Sequence, residues 1–266
     1  MLEQEQICLA LDRETARIDA LIAKKTRFIE LLKEKRQALI THAVTKGLDP
    51  DLKKRDSGVE WIGEVPEHWE RYRMAILFDE AIRVGVADLP ILSISIHDGI
   101  TDEELNPEDR ERQIYHIEDR TKYKRVLPGD IAYNMMRAWQ GAFGAVRVEG
   151  LVSPAYVVAQ PKRVFRTEYV EHLLRTPMAV EEMRRFSRGI ADFRMRLYWE
   201  YFRDVCVCLP SVDEQDAILD YIQRETIRID ALSIKTQHSI DLLKERRAAL
   251  ITAAVTGQID LREDAA

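Results

Sequence analysis

The stretch EQEQICLALDRETARIDALIAKKTRFIELLKEKRQALITHAVTKGLD, residues 3–49, returns 211 residues later as EQDAILDYIQRETIRIDALSIKTQHSIDLLKERRAALITAAVTGQID, residues 214–260. Of the 47 aligned positions, 26 are identical. A repeat placed at the two ends of a chain, with unrelated sequence between, is not a solenoid, whose repeats are contiguous. It is two copies of one element flanking a domain.

The spacing of the apolar residues makes that element a helix. Ile7, Leu11, Ile18, Leu21, Ile22, Phe28, Ile29, Leu32, Leu39, Ile40 and Ala43 fall at three-and-four intervals with Lys, Arg and Glu between them, and the second copy keeps Ile218, Ile222, Ile229, Leu232, Ile240, Leu243, Leu250, Ile251 and Ala254. Neither copy holds Gly or Pro before Gly47 or Gly257, where a glycine just past the last apolar turn is a stop signal. At 1.5 Å per residue, about 40 helical residues form a rod of roughly 60 Å. The two rods are expected to pair with each other, and as an antiparallel coiled coil if they run from opposite sides of one domain; a coiled coil serving only oligomerisation has the same pattern.

Between them, Pro66, Pro90, Pro107, Pro128, Pro154, Pro161 and Pro210 punctuate a segment whose short runs ILSISI, DIAYN, GAVRV and AYVVAQ have strand length and composition. TEYVEHLLRTPMAVEEMRRF, residues 167–186, reads as helix broken at Pro177. The fold class is α+β: one mixed α/β domain, as two short β-rich lobes or one irregular sheet, flanked by two long helices. The expected boundaries are 1–57 for the first helix and linker, 58–209 for the domain, and 210–266 for the second helix and tail.

Composition sets the remaining bounds. With 46% hydrophobic and 32% charged residues in 266, the chain is globular rather than disordered or fibrous. No run of about 18 apolar residues exists and the N-terminus is charged from Glu3, so no membrane span or secretory signal is drawn and a cytoplasmic location is expected. Cys8, Cys206 and Cys208 form no metal-binding spacing and read as free thiols. The net charge of −6 argues against nucleic acid, yet the charge is uneven. Asp98 to Glu111 carries seven acids against Arg110 alone, whereas Arg184 to Arg203 carries six arginines against Asp192 and Glu200.

A resemblance then becomes visible. DSGVEWIGEVPEHWE (56–70), LPGDIAYNMMRAWQGAFGAV (127–146), GLVSPAYVVAQP (150–161), SRGIADFRMRLYWEYF (187–202), LPSVDEQ (209–215) and IDLLKERRAALITAAVTGQIDLR (240–262) together resemble, in content and order, the DNA specificity (S) subunit of type I restriction-modification systems. The resemblance implies a target recognition domain carried on spacer helices. It implies a non-catalytic subunit that directs a methyltransferase (modification) subunit and a restriction subunit to a specific site on double-stranded DNA. It further implies that S-adenosylmethionine, ATP and Mg are used by those partner subunits and that this chain holds no cofactor or metal. Full-length members alternate two recognition domains with two helices, whereas this sequence starts with the helix and has one domain. A homodimer, or a complex with a second half-subunit, is therefore expected to complete a bipartite reader. The alternative is a truncated S-like scaffold or regulatory fragment that binds partners through its helices without reading DNA.

Three groups of residues are candidates for DNA contact. Asn134, Arg137 and Gln140, beside Trp139 in AYNMMRAWQGAFG, have the bidentate geometry that suits base edges, although the same stretch reads as a packed turn. Lys122, Lys124 and Arg125 with Tyr123 suit phosphate contact plus stacking, or form a solvated strand face. Arg184, Arg185, Arg188, Arg194 and Arg196 surround Ser187 and Gly189, and their fork geometry fits phosphates; Arg196 could instead pair with Glu200 at i,i+4.

Catalytic patterns are missing. The six histidines are scattered, His97-Asp98-Gly99 reads as a turn after a strand, and there is no phosphate-binding G-x-x-x-x-G-K-[ST], no G-x-G-x-x-G and no N-P-P-Y. Nuclease, ATPase or methyltransferase activity is expected from other chains.

Overall fold

The computed structural model describes residues 2–96, 99–102, 119–189 and 195–259. Most of the acidic run from Asp98 to Glu111, the His97-Asp98 pair and Arg194 lie outside the described residues. The chain divides into two compact units, one of Met1–Ala38 with Gln223–Ala266 and one of Leu39–Ile222. These bounds differ from the expected ones because both long helices contribute their inner ends to the second unit.

The first unit is an antiparallel pair formed by helices α1 (Leu2–Lys46) and α6 (Val212–Val255). Ala10 and Leu11 pack with Ala254 and Leu250. Farther along, Arg36 Nη1 meets Asp230 Oδ1 at 2.7 Å. The pairing direction follows from these contacts, since residues early in α1 meet residues late in α6. Ile18, Leu32, Ile229 and Ile240 are buried in the seam. Leu21, Phe28 and Leu232 are exposed at 41%, 43% and 46%, so the apolar face expected from the sequence is wider than the one the pair covers. A two-helix seam buries a narrow a/d stripe, and residues one step around the helix stay in solvent.

The second unit is built on a four-stranded antiparallel sheet. In chain order its strands and short helices are β1 (Lys54–Asp56), β2 (Glu64–Pro66), β3 (Glu70–Arg73), α2 (Met74–Leu77), β4 (Phe78–Glu80), β5 (Ile94–Ser95), β6 (Gly99–Ile100), β7 (Lys124–Val126), β8 (Ile131–Asn134), β9 (Phe143–Ala145), β10 (Gly150–Val152), β11 (Tyr156–Pro161), α3 (Thr167–Leu174), α4 (Pro177–Phe186), α5 (Trp199–Phe202) and β12 (Cys206–Leu209). The central order is β4-β11-β8-β9, and the remaining strands form the pairs β1-β2, β3-β12, β5-β6 and β7-β10. One sheet with satellite ribbons is thus what the proline-punctuated segment makes, rather than two lobes. ILSISI gives only the two-residue β5, which pairs Ile94 with Ile100 and Ser95 with Gly99.

Both faces of the central sheet are covered, and alternation along the strands decides which side chain goes where. Ile131, Tyr133, Val157 and Ala159 face a core that includes Phe143, Tyr169, Leu173 and Phe202. Ala132, Tyr156 and Val158 face a smaller core with Leu92, Ile94, Ile100, Val126 and Val152. Pro177 separates α3 from α4 as the sequence indicates. It occupies the first helical turn, and the Thr176 hydroxyl caps it by accepting from the Ala179 N–H at 3.3 Å.

The inner ends of the long helices are fixed into this unit by polar contacts. α1 stops at Gly47, which takes φ +79°. Lys46 Nζ donates to the carbonyls of Ile62 and Glu64 at 3.0 and 2.6 Å. Tyr169 donates its hydroxyl proton to Val44 O at 2.8 Å, and the indole N–H of the buried Trp69 donates to Glu214 Oε1 at 3.0 Å. Cys8, Cys206 and Cys208 are free thiols. No helix among the described residues is long and apolar enough to cross a membrane.

Candidate nucleic-acid interface

A cationic surface grows from the tight loop that joins β8 to β9. Asn134 Oδ1 accepts from the Met136 N–H at 3.0 Å, and the Arg137 N–H donates to Asn134 O at 2.9 Å. This Asx turn runs into a single 3-10 turn, Ala138–Gln140, ended by Gly141 at φ +90°, which a side chain would strain. Ala138 is buried while Gln140 is exposed, so the turn anchors on one side and presents polar groups on the other. Trp139 is held over the loop because its indole N–H donates to Met136 O at 3.0 Å. Asn134 therefore spends its carbonyl oxygen on the turn, and its side-chain amide nitrogen stands with Arg137 and Gln140 as the groups placed to meet a ligand.

Arg184 and Arg185 lie in the last turn of α4, where cations are favoured by the helix dipole. The Arg184 guanidinium sits 5.7 Å from the centre of the Trp139 ring, which brings α4 and the β8–β9 loop into one surface. Arg185 turns the other way and pairs with Glu60 and Glu182, each at 3.2 Å. The helix ends where the Ser187 hydroxyl donates to Met183 O at 2.7 Å.

Arg188 and Arg196 then exchange both backbone hydrogen bonds, N to O in each direction at 2.9 Å. In such a hydrogen-bonded antiparallel pair the two Cα atoms stand about 5.5 Å apart and the side chains leave on the same face. Like charges directly opposite each other are destabilising. Among the described residues, no carboxylate pairs with Arg188, Arg196 or Arg137. The Leu197 N–H donates to Met135 O at 2.8 Å, so the bridge is fastened to the β8–β9 loop. Arg188 lies 4.5 Å over the ring of Tyr201 on α5. The alternative contact between Arg196 and Glu200 does not form: Arg196 is in the extended bridge, ahead of the N-cap Tyr198 of α5, and no helical turn connects the two.

The group Lys122 to Arg125 is a different place and a less open one. Lys122 is exposed, with Asp119 Oδ2 3.9 Å from its Nζ. Tyr123 is only 4% exposed and packs with Ile91, Leu151 and Leu89, so its ring is not available for the stacking its position in a basic run suggested. Lys124 donates Nζ to Tyr156 O at 2.6 Å, and burial pushes its ammonium pKa down. Arg125 is bound to Glu149, Nε to Oε1 at 2.6 Å. β7 pairs with β10, Lys124 opposite Val152 and Arg125 opposite Leu151, so the consecutive side chains leave on opposite faces and each meets its own partner.

The sequence sets Trp139 among the candidate polar residues in a stretch that also reads as a packed turn, and nothing in it singles out Tyr201. Trp139 is 45 residues from Arg184 and Tyr201 is 13 from Arg188, separations that carry no periodic signal, and only the loop and the bridge bring the rings under the guanidiniums. Among the described residues no group of three His, Cys, Asp or Glu side chains is placed to hold a metal ion.

The fold matches solved structures. One is the HsdS subunit from Thermoanaerobacter tengcongensis, 16% identical, with 97% of this chain and 59% of that chain covered at a TM-score of 0.54. Another is a chain from a structure of complex assembly and conformational transition in the type I R-M system, 16% identical, covering 92% of this chain and 58% of that one at 0.53. This chain has the fold of those proteins and spans about three fifths of their length. No protein-family model and no curated protein matches it.

Proposed function

We propose that this chain is a non-catalytic DNA specificity subunit of a type I restriction-modification complex, reading DNA with the Leu39–Ile222 unit. The observation that carries the reading is the bridge of Arg188 and Arg196. Two cations are held opposite each other with no carboxylate partner among the described residues, beside Arg137 and the Trp139-backed Arg184. A fold tolerates such a local conflict where an anion relieves it, and a row of phosphates is such an anion. Gln140, Arg137 and the amide nitrogen of Asn134 stand next to these cations and would reach base edges from a backbone-anchored pose.

In this reading the chemistry belongs to partner chains. A modification subunit supplies methyl transfer from S-adenosylmethionine, and a restriction subunit supplies the ATP- and Mg-dependent steps. The exposed Leu21, Phe28, Leu31 and Ile234 on the helix pair are apolar groups that a protein partner would cover. The purified chain, alone and with its modification subunit, is incubated with duplex DNA and S-adenosylmethionine. Expected is salt-dependent DNA binding by the chain, and adenine methylation only in the combined sample. A chain that binds the modification subunit but leaves DNA unbound at low salt supports the scaffold alternative and overturns this reading.

A further inference from the structure

One guanidinium of the surface lies on an aromatic ring that is itself fixed. Tyr201 is carried on α5, between the cap residues Tyr198 and Arg203. The Arg188 guanidinium sits 4.5 Å from the centre of its ring. A ring covers one face of a guanidinium and leaves the N–H groups at its edge free to donate in the plane. An unsupported arginine loses much rotamer freedom when a phosphate fixes it, and an arginine already resting on a ring loses less.

We propose that Tyr201 is a positioning residue that holds Arg188 with its donor edge presented to a DNA backbone phosphate. The inference rests on the DNA-reading function and adds the ligand class, phosphate rather than base, and the residue that preorganises the contact. The ring touches no DNA in this arrangement. It acts through the arginine, so its removal changes affinity without changing the number of ions released.

The test measures the affinity of the full chain for a random-sequence duplex of about 30 base pairs, by fluorescence anisotropy between about 50 and 200 mM salt. Arg188→Ala is expected to weaken binding and to reduce the log–log salt slope by about one. Tyr201→Leu is expected to weaken binding by about two- to fivefold with the wild-type slope, and Tyr201→Phe to behave as wild type. In the Arg188→Ala background, Tyr201→Leu is expected to have no further effect. Wild-type affinity for Tyr201→Leu, or an equal loss in both backgrounds, would overturn the positioning role while leaving DNA reading intact. An Arg188→Ala chain with unchanged affinity and slope would remove this surface from DNA contact and take the inference with it.

Discussion

Asp19 Oδ1 lies 2.8 Å from Arg247 Nε across the helix pair, in an ion pair that the repeat makes twice. Arg36 is the counterpart of Arg247 in the first copy and Asp230 the counterpart of Asp19 in the second, and these two meet at 2.7 Å. Antiparallel pairing of two equivalent helices forces this reciprocity: a contact between position i of one and j of the other returns as a contact between j and i. Each pair is about half exposed and is worth about 0–1 kcal/mol. The ion pairs therefore fix the register more than they stabilise the helices.

The register gives a direct expectation. In a chain with Cys8 replaced by Ser, Ala10→Cys and Ala254→Cys should crosslink readily through a short bis-maleimide, because the two alanines share one apolar cluster. Ile18→Cys with Ile229→Cys should not, since about 19 residues of rise separate their levels, roughly 28 Å. Efficient crosslinking of the second pair within one chain would mean a parallel, in-register arrangement.

The helices, their antiparallel pairing and the break at Pro177 were legible because each is written locally, as three-and-four spacing, a copied sequence, or a proline after a capping threonine. The sheet was less so. DIAYN and AYVVAQ became β8 and β11, but ILSISI gave two strand residues, since pairing with Gly99 and Ile100 is a tertiary choice. The site divided the same way. The arginines around Ser187 were visible as a density of charge, whereas burial of Tyr123 against Ile91 and Leu151 and capture of Lys124 by Tyr156 O depend on contacts with segments distant in sequence.

That division is itself testable. Lys124→Met should lower stability by about 1 kcal/mol through loss of its hydrogen bond, and should leave the salt slope of DNA binding unchanged. Thermal denaturation and the salt titration are read on the same sample. A slope reduced by one unit would return Lys124 to the phosphate-contacting set.

Where the inner ends of the long helices join the Leu39–Ile222 unit, packing should outweigh polar contacts. Trp69 is 1% exposed, and Trp69→Ala is expected to cost about 3–5 kcal/mol. Tyr169→Phe removes only the donation to Val44 O and should cost about 1 kcal/mol. Urea denaturation gives both values, and a Phe variant as damaged as the Ala variant would mean that the hydroxyl is the main anchor.

Glu171 carries a pH dependence. Its carboxylate is 4% exposed and accepts from Arg175 Nη1 at 3.1 Å and the Ala145 N–H at 3.2 Å. Burial raises its pKa above the ordinary carboxylate value, and Arg175, Ala145 and Arg147 offset this only in part. The folded state then binds the proton more tightly than the unfolded one, so this group favours folding at low pH and loses that contribution as the pH rises through the raised value. Glu171→Gln should accordingly gain stability relative to wild type as the pH is taken from about 4 to 8. Parallel melting curves across that range, or a gap moving the other way, would contradict the assignment.

The central claim, that this chain chooses the DNA site at which another subunit acts, is tested most directly by mapping methylated adenines in the genome of cells that express the modification subunit with and without it. The expected result is one defined motif methylated only when the chain is present, and lost when Arg188 and Arg196 are both replaced by Ala in a folded protein. A methylated motif that is identical in the presence and absence of the chain would contradict the claim.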